Sequence, residues 1–114
     1  MSALYVNARG AIHAGKLEEF KKLADECIRL TREKDSGTLQ YDWFLNAEQT
    51  ACVILEHYRD SDAVLEHIAN LGAMMGEILG ICDWEFEVFG APSAELMAAA
   101  AALGPKVYSP LGSI

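Results

Sequence analysis

The sequence predicts an α+β domain in which helices cover one face of an antiparallel sheet. Three observations predict it. The hydrophobic pattern switches repeatedly between a period of two and a period of three to four. Two segments of period two, 38–45 and 50–58, are separated only by the short polar stretch Asn46-Ala47-Glu48-Gln49, the mark of a hairpin. The resulting order is strand, helix, strand, strand, helix, strand, with a further helix and tail at the C-terminal end.

Residues 3–12 place Leu4, Val6 and Ala8 on one side and Tyr5, Asn7 and Arg9 on the other, the alternation of a strand. Gly10 and Gly15 bracket its exit. Over 16–34 the apolar positions become Leu17, Phe20, Leu23, Ala24, Cys27, Ile28 and Thr31, the stripe of an amphipathic helix. Glu18 and Glu19 in its first turn and Lys34 in its last suit the helix dipole. Asp35-Ser36-Gly37 ends it, with Gly37 able to take a left-handed cap. In the second strand Leu39, Tyr41, Trp43 and Leu45 share a face. In the third, Ala51, Val53, Leu55 and His57 oppose Cys52, Ile54, Glu56 and Tyr58, so its centre is apolar on both sides. Asp60-Ser61-Asp62 caps a second helix bearing Val64, His67, Ile68 and Leu71. Gly72 interrupts it, and Met74, Met75, Ile78 and Leu79 form another turn or two before Gly80. Residues 82–89 are the fourth strand. Ser93 caps an Ala-rich helix over 94–103, which Gly104-Pro105 stops, and Val107-Tyr108 can form a short strand.

The chain of 114 residues is read as one domain over 1–114, with a core over 2–90 and a C-terminal helix and tail over 91–114. Hydrophobic residues make up 52% and charged residues 23%, enough for a packed core. A net charge of −8 repels phosphate backbones and anionic bilayers, so neither nucleic acid nor membrane is expected as a partner. No apolar run is long enough to span a bilayer, and the start of the chain lacks the layout of a secretion signal. Cys27, Cys52 and Cys82 are odd in number and far apart, which fits reduced thiols in a cytoplasmic protein rather than disulfides or a C-x-x-C metal site.

The element order is that of the ferredoxin-like βαββαβ motif, with both helices on one sheet face. The third strand is apolar on both faces, so the uncovered face is expected to pack against a second copy of the chain as a homodimer.

The run Glu56-His57-Tyr58-Arg59-Asp60, followed by Ala63 and His67, resembles the passage from third strand to second helix in antibiotic-biosynthesis-monooxygenase domains. Gly15 with Phe20, and Gly37-Thr38-Leu39-Gln40-Tyr41, resemble that family's first helix and second strand. The resemblance implies a dimeric α+β barrel with a pocket between sheet and helices in each protomer. Active members oxygenate electron-rich aromatics without metal or flavin. The family also contains haem degraders, in which a strand-one Asn faces the pocket. Here His67 stands where they carry Trp, and Glu77 lies near the place of their haem-ligating His, departures that argue against haem.

A cofactor-free oxygenase needs a base, hydrogen bonds to a substrate anion, and a dry aromatic-lined cavity. Asn7, Arg9, Trp43, His57, Tyr58 and His67 can supply that set. His67, on the apolar stripe, and Asn7, which the resemblance points to, are the catalytic candidates. Each has a plainer reading, as a satisfied half-buried histidine and as a sheet or interface hydrogen bond. Arg9, Trp43, His57, Tyr58, Met74 and Met75 are the substrate-binding candidates, although Trp and Met at such positions often belong to a core. No metal-ligand cluster, phosphate loop or nucleophile motif is present, and no cofactor is expected. The function expected is a cofactor-independent monooxygenase acting on a small apolar or aromatic molecule of phenolic, quinol or polyketide type. The alternatives are a non-catalytic small-molecule-binding or regulatory protein, and a non-redox enzyme such as an isomerase or decarboxylase.

Overall fold

A computed structural model describes residues 3–114; Met1 and Ser2, where the expected core begins, lie outside the described residues. The alternation at the start of the chain produces β1 (Leu4–Ile12), with Leu4, Val6, Ala8 and Gly10 buried and the intervening residues toward the open side. The amphipathic stripe produces α1 (Leu17–Lys34), which buries Phe20, Ala24, Cys27 and Thr31. Then follow β2 (Thr38–Leu45), β3 (Ala51–Tyr58), α2 (Ser61–Leu71), α3 (Ala73–Gly80), β4 (Cys82–Phe89), α4 (Ala94–Ala100) with a 3-10 turn at Ala101–Leu103, and β5 (Lys106–Tyr108).

The strands form one sheet in the order β2-β3-β1-β4-β5. The pairs β2–β3, β3–β1 and β1–β4 are antiparallel, as the motif requires, and β2 carries an irregularity between Thr38 and Gln40. The fifth strand extends the expected four-stranded antiparallel sheet into a mixed one. It returns across α4 and lies parallel to β4, because a connection containing a helix delivers the chain in the same direction. Phe89 stacks on Tyr108 at 5.3 Å and anchors this edge.

The helices cover one face. Beneath them lie two buried clusters, one around Phe20, Ile54 and Ile78 and one around Leu4, Tyr58, Val64 and Leu96. The other face is bare in a single chain. It is apolar along β3, where Val53 and Leu55 are half-buried beside the exposed Phe44 and Tyr5, and acidic along β4, where Asp83, Glu85 and Glu87 follow one another.

Gly37 does not adopt the left-handed cap open to it. Only Gly15, Gly72, Gly90 and Gly104 among the described glycines have positive φ. Gly37 answers instead to a close approach: a Cβ there would lie 2.6 Å from the Cβ of Ala63. The turn after α1 therefore nests against α2.

Candidate active site

Beyond Leu4, the inner face of β1 narrows to Val6, Ala8 and Gly10. Its neighbours carry tall ones. The register aligns Tyr41, Glu56, Val6 and Val88 in one row across the sheet, and Trp43, Ile54, Ala8 and Phe86 in the next. A low centre between tall sides makes a trough. At one end the Trp84 indole folds over Gly10, where a Cβ would come 2.9 Å from the ring, and its Nε1 donates to the carbonyl of Ile78 at 3.0 Å. Helices α2, α3 and α4 roof the trough, leaving a cavity of about 90 Å³. Its walls are apolar and aromatic apart from a few polar groups, the usual character of a small-molecule site.

The first polar group is a histidine–carboxylate pair. Asp35 closes α1, its backbone N–H bonded to the carbonyl of Thr31. Ser36 ties the turn to α2, donating from its N–H and its hydroxyl to Glu66 Oε1 at 2.8 and 3.0 Å. Helix α2 is itself fixed at its start, where Asp60 Oδ1 accepts from the N–H of Ala63 at 2.9 Å. These contacts set Asp35 beside the buried His67. The Asp35 carboxylate accepts from His67 Nδ1 at 2.8 Å, from the Thr38 hydroxyl at 2.6 Å and from Asn70 Nδ2 at 2.8 Å. Burial works to raise Asp35, but these hydrogen bonds outweigh it and hold the carboxyl below its ordinary range. Burial lowers His67, against the opposing pull of Asp35. The imidazole is therefore neutral near pH 7, with its proton on Nδ1 and its lone pair on Nε2. This is the arrangement of a general base oriented by a carboxylate.

The second polar group is Glu56 with Tyr58, two residues apart on β3 and so on the same face. The Tyr58 hydroxyl donates to Glu56 Oε1. Burial drives the Glu56 carboxyl up to about 7, while the Tyr58 hydrogen bond works against the rise. Tyr58, fully buried, is raised well above its ordinary value, first by burial and then by the nearby Glu56, and Tyr41 is raised in the same way, so both phenols stay neutral. Tyr41 meets the His67 ring edge-on at 4.7 Å and Tyr58 meets it at 5.4 Å, so the two polar groups share one end of the cavity. Two titratable groups with opposite shifts at one place are the pattern in which acid–base pairs are found.

Of the candidates named from sequence, the structure brings His67, Tyr58, Trp43 and Met75 to the cavity. Met74, on the adjoining position of α3, is not among its walls. Asn7, Arg9 and His57 lie on the opposite face of the sheet, and the expectation that they face a ligand with His67 is corrected on that point. The reason is the strand period. Val6 and Ala8 take the inner side of β1, so the residues between them point outward. Arg9 Nε lies 3.5 Å from Glu87 Oε1, and His57 stacks on Tyr5 at 4.1 Å. Trp84 also lines the cavity. Sequence reasoning misses Glu56, Asp35 and Tyr41 as chemical groups. Glu56 carries a readable signal, an acid alone on a strand face otherwise made of Cys52, Ile54 and Tyr58. Asp35 carries none, because nothing in the sequence joins it to a residue 32 positions away. Among the described residues no group of three or more His, Cys, Asp or Glu is placed to hold a metal ion.

The profile of the antibiotic biosynthesis monooxygenase family matches residues 3–71, more than half of the chain. The chain belongs to the antibiotic biosynthesis monooxygenase family. Its fold is similar to that of MupZ from Pseudomonas fluorescens, with a TM-score of 0.86 at 21% identity, covering 100% of this chain and 94% of that one. Rv0793 from Mycobacterium tuberculosis gives 0.70 at 22% identity, covering 81% of this chain and 97% of that one. SnoaB, a cofactor-independent oxygenase from Streptomyces nogalater, gives 0.68 at 15% identity over 82% of this chain and 97% of that one. At these identities the likeness is one of fold. No curated protein sequence matches the chain. The family match takes in β1, α1, β2, β3 and α2, and with them both Asp35–His67 and Glu56–Tyr58. No helix of the described residues is long and apolar enough to cross a membrane.

Proposed function

We propose that this family member is a cofactor-independent monooxygenase acting on a small phenolic or quinol-type molecule, and that it works as a homodimer. The observation that carries the proposal is the Asp35–His67 pair, with its free imidazole nitrogen, set beside Glu56 in an otherwise apolar aromatic cavity. His67 Nε2 takes a proton from the substrate. Glu56, in its protonated form, donates to the substrate oxygen on which charge develops. The resulting anion is electron-rich enough to pass an electron to dioxygen. Recombination of the two radicals forms a C–O bond and, on protonation, a hydroperoxide. The hydroperoxide then loses water, leaving one oxygen atom on the substrate as a carbonyl. The substrate supplies every electron, so the step balances without another reductant. The chain's part is to orient the ring, to move the proton and to exclude bulk water.

Two features support the dimer: the bare stripe formed by Phe44, Val53 and Leu55, and the relation to a family whose fold pairs sheets face to face. The oxygenase reading is tested by recording oxygen uptake with a panel of hydroquinones. The wild type consumes oxygen, and His67→Ala lowers the rate about a hundred-fold or more. Uptake unaffected by that substitution removes His67 from the chemistry. A panel that binds without any uptake favours a binding module.

A further inference from the structure

We infer that the site takes an uncharged hydroxyaromatic bearing a slender apolar arm, and that α4, through Met97 and Ala100, limits the length of that arm. The inference deepens the oxygenase reading and rests on it for the chemistry of the ring, but not for the fit.

The cavity is sorted by polarity, and the strand order does the sorting. In the row Tyr41, Glu56, Val6, Val88 the polar side chains stand on β2 and β3, while β1 and β4 contribute only apolar ones. His67 joins the polar end through its contacts with Tyr41 and Tyr58. On the β4 side, across β1 from Glu56, the lining is Phe86 and Val88 together with Leu96, Met97 and Ala100 of α4, with no hydrogen-bonding side chain among them. A ligand that satisfies both ends carries its hydroxyl at one side and hydrocarbon at the other, because an unmet polar group at either end costs binding.

Charge narrows the class further. None of the cavity walls is Lys or Arg, whereas Glu56 lines it and the ionised Asp35 lies directly behind His67. A carboxylate or phosphate would be desolvated there with no cation to meet it and a carboxyl nearby. Size narrows it again. A water needs roughly 10–15 Å³ of such space, so a void of about 90 Å³ accommodates one ring and a short arm.

The position of α4 makes it the measure of that arm. Ser93 caps it, the Ser93 hydroxyl accepting from the N–H of Leu96 at 3.1 Å, and Ser61 Oγ accepts from the N–H of Ser93 at 2.9 Å, so the helix is hung from the start of α2. Leu96, 3% exposed, locks it to the core. Ala100 leaves space that a larger side chain would fill, and Met97 fills space that a smaller one would open.

The test is a binding titration under nitrogen, read by Trp43 and Trp84 fluorescence, with 4-methylphenol, 4-propylphenol, 4-hexylphenol and 4-hexylbenzoate. Affinity rises about fourfold for each added methylene until the arm meets α4. The benzoate binds at least about tenfold more weakly than the phenol of equal arm. Ala100→Phe moves the best arm length down and Met97→Ala moves it up. Equal binding of the benzoate, no dependence on arm length, no response in any titration, or an optimum unmoved by both substitutions overturns the inference. Because no oxygen is present, a protein that obeys these rules and yet consumes no oxygen in air disproves the oxygenase reading while leaving the inference standing.

Discussion

The two faces of the sheet are made from the same strands, residue by alternate residue, and they treat polar groups in opposite ways. On the inner face Glu56 is driven up to about 7 and His67 is held neutral against an ionised Asp35. On the outer face Arg9 and Glu87 approach to only 3.5 Å, with the Arg9 side chain about half exposed at 52%. The residue types are comparable. The difference is the roof of helices, which removes water from one side and leaves it on the other. Coulombic and hydrogen-bond effects that water would screen become decisive once it is gone. Chemistry is therefore expected on the covered side and association on the open side.

The largest effect that would break this division is on association. Val53 stands at the centre of the open face, with Arg9 and Phe44 opposite it on the two neighbouring strands. Val53→Asp places a charge twice in a two-fold interface, at a cost of roughly several kcal/mol for the pair. In a single chain the new carboxylate sits by Arg9 in water, so the fold survives. Sedimentation is expected to show wild-type dimers and a folded monomeric variant. A wild type that sediments as a monomer removes the association role from this face.

The next effect belongs to the covered side. The folded chain raises Glu56 from 4.5 to about 7, so it holds that proton more tightly than the unfolded chain does. The contribution is neutral below about pH 4.5 and turns against the fold as pH rises toward 7. Each tenfold gain in proton affinity corresponds to ~1.4 kcal/mol, so the loss reaches about 3 kcal/mol, and less where cavity water relieves the charge. Glu56→Gln keeps the shape and does not titrate. Urea midpoints of the two proteins should diverge as pH rises from 5 to 8, with the variant the more stable at the upper end. His67, whose value is lowered, acts in the other sense, its contribution being lost as pH falls below 6.5. It is common to both proteins and cancels from their difference. Parallel pH profiles would show that the carboxyl titrates as if in water.

The contrast between faces also explains what the sequence discloses. The strands and α1 are legible because each buries one side, and burial writes itself as a period. The inner position of Tyr58 and His67 follows from the same signal. Residue type and resemblance point Asn7 and Arg9 toward chemistry, against their own phase, in which Val6 and Ala8 occupy the buried set. The role of Gly37 is hidden because its neighbour Ala63 is joined to it only by the fold. Asp35 reads as the end of a helix, which it is. Its second task requires the turn to be pinned to Glu66, a contact that no local pattern encodes.

A smaller effect follows from that second task. Asp35→Asn removes the charge that fixes the Nδ1 proton of His67, and its amide can donate to the ring and leave the proton on Nε2, where a lone pair is needed. Oxygen uptake should fall by about tenfold or more in kcat with KM little changed. Loss of the carboxylate also lets burial take His67 further down, so the acid limb of the rate profile moves to lower pH. A variant with normal kcat and an unmoved acid limb would show that the pair is structural only.

The smallest expected effect is the sharpest test of the division itself. Asn7 sits between Val6 and Ala8 and pairs with Leu55 and Glu87 across the open face. Its side chain is separated from the cavity by the thickness of the sheet. Asn7→Ala should therefore change oxygen uptake by less than about twofold, the range of a surface substitution. Any larger consequence should appear in association through the open face, where Asn7 lies beside Leu55, and should grow as the protein is diluted. A large loss of kcat that does not depend on protein concentration would mean that the open face takes part in catalysis directly. The separation of chemistry from association would then fail at the residue where the phase of the strand states it most plainly.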